Sequence, residues 1–180
     1  MTRVVFRSTH PDSLILQVDL AQVNAPALIA EEPPLPEFDM ARAQHILNVN
    51  TLAPMVILGA ALPHLAPGAS VVNITSINAR FPPVGAPVYG ASKAALENLT
   101  IACAKTLGPR GIRVNAVSPG AVERAHAPRP PDLIRHFTDG SALGRLALQD
   151  EIASAVRFLL SSAASGITGT VLEVSAGYRL

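Results

Sequence analysis

Residues 70–120 read SVVNITSINARFPPVGAPVYGASKAALENLTIACAKTLGPRGIRVNAVSPG. Two runs in this stretch, Ser70–Thr75 (SVVNIT) and Ile112–Val117 (IRVNAV), are short, rich in Val and Ile, and uncharged but for Arg113. That is the pattern of strands buried on both faces of a parallel sheet. Between them, Ala91–Leu107 has few breakers and many Ala and Leu residues, and so predicts a helix. A strand, a helix and a second strand in this order predict an α/β fold in which helices cover a parallel sheet.

The same alternation continues outward. Thr170–Val174 (TVLEV) predicts a third strand, and Glu151–Ser161 predicts a helix with Ile152, Val156, Leu159 and Leu160 on one face. Upstream, Met40–Leu65 reads as one long helix, bent near Pro54 because proline removes a helical donor. Arg3–Phe6 and Leu14–Val18 predict two more short strands, and Pro33, Pro34 and Pro36 mark a loop after them. The segment from Ala121 to Ala142 reads as a long loop with a helical piece at Asp132–Phe137, in the manner of a lid over a site. No internal repeat and no second domain is visible, so residues 1–180 are expected to form one domain.

Composition narrows the class. Of 180 residues, 49% are hydrophobic and 15% charged, which suits a chain with a substantial core and not a disordered one. The net charge of +1 and the lack of a basic run give no reason to expect nucleic acid or an anionic membrane surface as partner. Residues 46–79 carry no Asp, Glu, Lys or Arg, but Asn48, Asn50, Pro54, Pro63, His64, Pro67 and Asn73 interrupt them. Buried core is therefore expected in place of a membrane span. Cys103 is the one cysteine and the N-terminus has no secretory pattern, so a reducing cytoplasm is expected. No metal site is expected: the five histidines show no ligand spacing, and Cys103 reads as packing. His126 and His136 fall in the lid segment and are read as solvated loop residues.

Chemistry is concentrated around Tyr89. Lys93 lies four residues on, so both side chains share one helix face. A phenol with a pKa of about 10 is a sluggish base, and a neighbouring cation is expected to lower that value. Ser76 directly follows the strand Ser70–Thr75, at the end of the sheet where open α/β proteins bind ligands. Together they offer a hydroxyl to orient a carbonyl oxygen, a tunable acid/base and a positive charge.

With these residues in place the chain resembles the short-chain dehydrogenase/reductase family. That family carries Tyr-x-x-x-Lys with a Ser thirteen residues before the Tyr, as Tyr89, Lys93 and Ser76 stand here. VVNITS, YGASKAAL and RGIRVNAVSPG resemble its surrounding text, NVNTLAP places Asn50 at its relay Asn, and ITGTVLEVSAG resembles its last strand. The resemblance implies a Rossmann-like parallel sheet with helices on both faces. It also implies an oxidoreductase that moves a hydride between NADP or NAD and an alcohol or carbonyl substrate. Tyr89 would act as general acid/base, Lys93 would tune it and bind the nicotinamide ribose, Ser76 would position the carbonyl, and Asn50 would hold a water for proton relay. Backbone around Pro119, Gly120 and Val122 would hold the nicotinamide, while Arg7 and Ser8 would lie near a 2′-phosphate and Asp19 near the adenine. Arg7-Ser8 tilts the expected cofactor towards NADP.

The departures are equally specific. The family cradles the cofactor pyrophosphate in a glycine-rich turn after its first strand. Here the first of twelve glycines is Gly59. VVFRSTHPDSLILQVDLAQ resembles the second and third strands, whereas NAPALIAEEPPLPEFD stands where a fourth strand ends in Asn-Asn-Ala-Gly. Arg124 replaces a cofactor-binding Thr, and Ser175-Ala176-Gly177 replaces Asp-Gly-Gly. The expectation is an incomplete, N-terminally truncated member, with residues 1–36 a remnant of the cofactor half and 37–180 the active-site half. The competing expectation is an impaired subunit or truncated product that no longer binds a dinucleotide. Family members associate through two helices, here about Met40–Leu65 and Ala91–Leu107. Either a homo-oligomer or a hetero-oligomer with a full-length homologue is therefore expected.

Overall fold

A computed structural model describes residues 3–5, 17–19, 38–123 and 129–179. The sheet anticipated from residues 70–174 is present: β3 (Ser70–Ile74), β4 (Arg113–Pro119) and β5 (Val171–Val174) lie parallel in the order β3-β4-β5. Register pairs Ser70 with Arg113 and Ile74 with Val117, then Ala116 with Val171 and Pro119 with Val174. β4 is central, and Val114, Asn115, Ala116, Val117 and Ser118 are all buried.

Side chains alternate between the sheet faces, so β3 and β4 each feed two separate cores. On one face Val71 and Val114 pack with Leu58, Ala104 and Leu107; Cys103 joins this cluster, as expected of a packing cysteine. On the other, Val72, Ile74 and Val117 pack with Val156 and Leu159. The helices that supply these residues are α2 (Ala53–Ala61) and α3 (Pro87–Leu107) on the first face, and α5 (Gln149–Leu160) on the second. Helices on both faces of a parallel sheet are thus observed.

Polar residues inside the strands act as joints. Asn115 Nδ2 donates to the Ile167 carbonyl (2.9 Å) and its Oδ1 accepts from the Thr170 amide (3.1 Å), which fixes the approach to β5. Arg113 donates to the carbonyls of Leu159 (2.8 Å) and Ser161 (3.1 Å), placing a cation at the C-terminus of α5 where the helix dipole favours one. At the other end of α5, the Glu151 carboxylate accepts the Leu148 amide and pairs with Arg145 through both oxygens.

The long upstream helix runs from Met40 to His64. It consists of α1 (Met40–Leu47), a π turn over Asn48–Leu52, α2, and a closing 3-10 turn. The irregularity anticipated at Pro54 therefore falls just before it, where the Ala53 amide reaches back five residues to the Asn48 carbonyl. By length and composition this helix could cross a bilayer. Its polar residues have protein partners instead: Asn50 and Thr51 are buried and bond to Ser92 of α3. The lid segment contains α4 (Pro131–Asp139), slightly longer than the Asp132–Phe137 piece expected.

Two expectations are adjusted. The short strands expected at Arg3–Phe6 and Leu14–Val18, likened to two strands of the family's parallel sheet, are β1 (Arg3–Val5) and β2 (Gln17–Asp19). They pair antiparallel with each other, Val4 opposite Val18, in a sheet of their own. Eleven residues separate them in sequence, fewer than the dozen or more that a parallel crossover requires. Secondly, the active-site helix begins at Pro87, not Ala91. Proline is favoured in a first turn because its missing N–H has no helical partner there.

Ala176 adopts φ +56°, in the left-handed region, and is followed by Gly177 at φ +75°. An Ala there is strained by about 1–2 kcal/mol, against roughly 0.5–1 kcal/mol of extra chain entropy that a Gly loses on folding. Ala176→Gly is therefore expected to stabilise the fold by about 0.5–1 kcal/mol, seen as a higher urea midpoint at unchanged slope.

Candidate active site

Starting helix α3 at Pro87 puts Tyr89 and Lys93 in its first two turns, facing the end of β3. Both are buried, with 7% and 3% of their surface exposed. Ser76 follows β3 with extended backbone (φ −166°, ψ 150°) and caps the 3-10 turn Ile77–Ala79 by accepting the Asn78 amide at 3.2 Å. The Ser76 and Tyr89 hydroxyls are hydrogen-bonded to each other. Lys93 Nζ donates to the Ile74 carbonyl at 3.1 Å and lies 5.9 Å from the centre of the Tyr89 ring. Three of the four expected catalytic residues therefore meet at one point.

Asn50 is also close, by an indirect route. Its Nδ2 donates to Ser92 Oγ (3.0 Å), and that hydroxyl donates to the Tyr89 carbonyl (2.7 Å). Ser92 is fully buried and serves as the joint between the π turn and α3.

The electrostatics reverse one expectation. Lys93 was expected to pull the Tyr89 pKa down. Burial instead pushes the phenol up, opposed in part by the bond with Ser76. Burial likewise lowers the Lys93 ammonium to about 8. A low-polarity surrounding disfavours both the phenolate and the ammonium, so at neutral pH Tyr89 is the protonated phenol, the form that donates a proton.

The proposed nicotinamide-binding residues are placed as follows. Pro119 ends β4, the Gly120 amide donates to the Val174 carbonyl (3.0 Å), and Val122 bridges to Ala147. Gly120 has a packing reason of its own: a Cβ there would stand 2.7 Å from Ser175 Cα. Asp19 ends β2. Arg7, Ser8, Arg124 and His126 lie outside the described residues. His136 stands 3.3 Å from the Tyr178 hydroxyl, across Nε2.

Four polar residues near the site were not anticipated from the sequence. Besides Ser92, these are Thr75, Glu97 and Ser118. Thr75 Oγ1 donates to Glu97 Oε1 (3.1 Å) and lies 3.3 Å from the Val117 carbonyl, and the Ser118 hydroxyl also bonds Glu97. Glu97 stands one turn beyond Lys93, so extending the Tyr89–Lys93 spacing by four was the signal that could have found it.

Comparison with known proteins identifies the family. Residues 16–179 match a family model described as enoyl-(acyl carrier protein) reductase. A cis-4-hydroxycyclohexanecarboxylate dehydrogenase of Sinomonas cyclohexanicum is 36% identical over 94% of this chain and 73% of its own length. Tropinone reductase-like 3 of Erythroxylum coca is 39% identical over 73% of this chain and 52% of its own. Among solved structures, a short-chain dehydrogenase/reductase of Serratia marcescens superposes with TM-score 0.77 at 34% identity, over 83% of this chain and 62% of that one. A short chain dehydrogenase of Burkholderia cenocepacia in complex with NADP superposes with TM-score 0.74 at 33% identity, over 81% and 60%. The chain belongs to the short-chain dehydrogenase/reductase family. It spans about three fifths of the length of those solved relatives.

The depressed Lys93 pKa links stability to pH. The folded state releases this proton near pH 8 and the unfolded chain near 10.5, so folding is favoured increasingly as pH rises between those values. Lys93→Met has no such proton. Urea melts should show wild type gaining on the variant between pH 8 and 10.5, by on the order of 3 kcal/mol in all, with a constant difference below pH 7.

Proposed function

We propose that residues 37–180 carry the proton-handling half of an NAD(P)(H)-dependent oxidoreductase that interconverts an alcohol and a carbonyl. The observation that carries this reading is the buried Ser76–Tyr89 hydrogen bond with Lys93 beside it, at the C-terminal end of a parallel sheet. Tyr89, held as the neutral phenol, donates its proton to the carbonyl oxygen. Ser76 orients that oxygen and stabilises the charge developing on it. Lys93 supplies positive charge and a donor for the nicotinamide ribose, and Asn50 holds the water through which the proton is replaced. A nicotinamide cofactor, when bound, supplies the hydride.

The donor set fits the nicotinamide end of such a cofactor: an ammonium, a phenol and the backbone at Pro119, Gly120 and Val122 lie at or just beyond the ends of β3 and β4. Within residues 1–58 no glycine is available for the pyrophosphate end, where backbone N–H groups approach closely only if side chains are absent. The second reading is therefore a subunit whose Tyr89 and Lys93 are not served by a dinucleotide bound to these residues. Calorimetric titration with NADPH and NADH separates the two. Saturable binding, with turnover of a carbonyl substrate lost in Tyr89→Phe, supports the oxidoreductase. Absence of binding to the folded chain supports the second reading.

The proposal includes self-association in the cytoplasm. A single cysteine suits a reducing compartment. Met40, Leu52 and Val56 are exposed along Met40–His64, with Val56 at 71%, and Ile101 is exposed on α3. Exposed apolar side chains along two neighbouring helices suit a helix-to-helix contact with a second copy or a full-length homologue. Light scattering should give a mass above one chain, falling to one chain in Val56→Glu.

A further inference from the structure

Helix α3 meets the end of β3 at three successive residues. Lys93 bonds the Ile74 carbonyl, Glu97 bonds the Thr75 hydroxyl, and Tyr89 bonds the Ser76 hydroxyl. The first and third belong to the chemistry proposed above, and the second has no assigned part in it. Glu97 is half-buried, and burial pushes its carboxyl above the ordinary glutamate range. A carboxylate is kept in this place by donors: the hydroxyls of Thr75, from the end of β3, and Ser118, from β4. The charged groups around it are Arg80, from the turn after Ser76, and Glu173, from β5, whose own side chains stand 3.7 Å apart. On its own helix Lys93 precedes it by one turn.

Thr75 is the point through which Glu97 acts. Its hydroxyl reaches both the Glu97 carboxylate and the Val117 carbonyl, and its amide donates to the same carbonyl at 2.8 Å. The backbone entering Ser76 is thus fastened to α3 and β4 at once, while the backbone leaving it is fastened by the 3-10 turn. A serine between two anchors presents its hydroxyl in one direction.

We propose that Glu97 is a positioning residue: its carboxylate fastens Thr75 between α3 and β4, and so aims the Ser76 hydroxyl at the Tyr89 phenol. This rests on the reading of Ser76 and Tyr89 as a working pair, but its test needs neither cofactor nor turnover. The bond with Ser76 lowers the Tyr89 pKa against the effect of burial. Losing the Thr75 anchor weakens that bond and lets the phenol rise.

The chain has two tyrosines and no tryptophan, so Tyr178→Phe leaves Tyr89 as the sole phenol. In that background, phenolate absorbance after a rapid pH jump reads the Tyr89 midpoint before the chain unfolds. Glu97→Leu is expected to raise the midpoint by ~0.5–1 pH unit, the effect of one weakened hydrogen bond. Glu97→Gln, which keeps an acceptor for Thr75, should leave it in place. Thr75→Val leaves Glu97 intact and should match Glu97→Leu, and it decides the question if that variant does not fold. Ser76→Ala should raise the midpoint, and adding Glu97→Leu to it should raise it no further, because both act on one bond.

An unchanged Tyr89 midpoint in folded Glu97→Leu or Thr75→Val overturns the proposal, as does a rise that adds to that of Ser76→Ala. A role in stability alone would lower the melting temperature and leave the phenol where it was. Failure of the chain to bind NADPH would remove the oxidoreductase reading and leave this result standing.

Discussion

The first two turns of α3 must bury a phenol and an ammonium against the end of β3, and most of the surrounding polar structure answers that requirement. A buried cation costs free energy unless it is bonded, and the bond from Lys93 to Ile74 also satisfies a carbonyl on the outer strand of the three. Tyr89 is held by Ser76, Ser76 by the amide of Asn78, and Thr75 by Glu97. Loosening any of these moves the others, because they share one strand end and one helix face.

The rest of the fold holds that helix at that strand. Val114 and Leu107 set α3 on one face of β4, while Val117 and Leu159 set α5 on the other. Asn50, through Ser92, joins the upstream helix to the turn that contains Tyr89. The same low polarity that makes these cores stable raises the Tyr89 pKa and lowers that of Lys93. Stability and acid–base character therefore have one cause here. The described fold superposes on longer members of the family at TM-scores near 0.75.

Sequence alone was enough for what depends on period and spacing. Val and Ile runs marked β3, β4 and β5 to within a residue or two, because a strand buried on both faces leaves few choices of side chain. Tyr89, Lys93 and Ser76 were recognisable because helical spacing and the strand-end position are local properties, and Pro54 pointed to an irregularity nearby, found as the π turn just before it, because a missing donor is also local.

Tertiary structure alone decided the rest. The antiparallel pairing of β1 with β2 depends on which chain segments meet, which their alternation does not encode. Ser92, Thr75, Glu97 and Ser118 are ordinary polar residues in sequence and acquire their roles from partners on other elements, 41 positions away for Thr51 and Ser92 and 22 for Thr75 and Glu97. The direction of the Tyr89 shift was reversed for the same reason. Charge can be read from spacing, but desolvation depends on what the whole fold packs over the group.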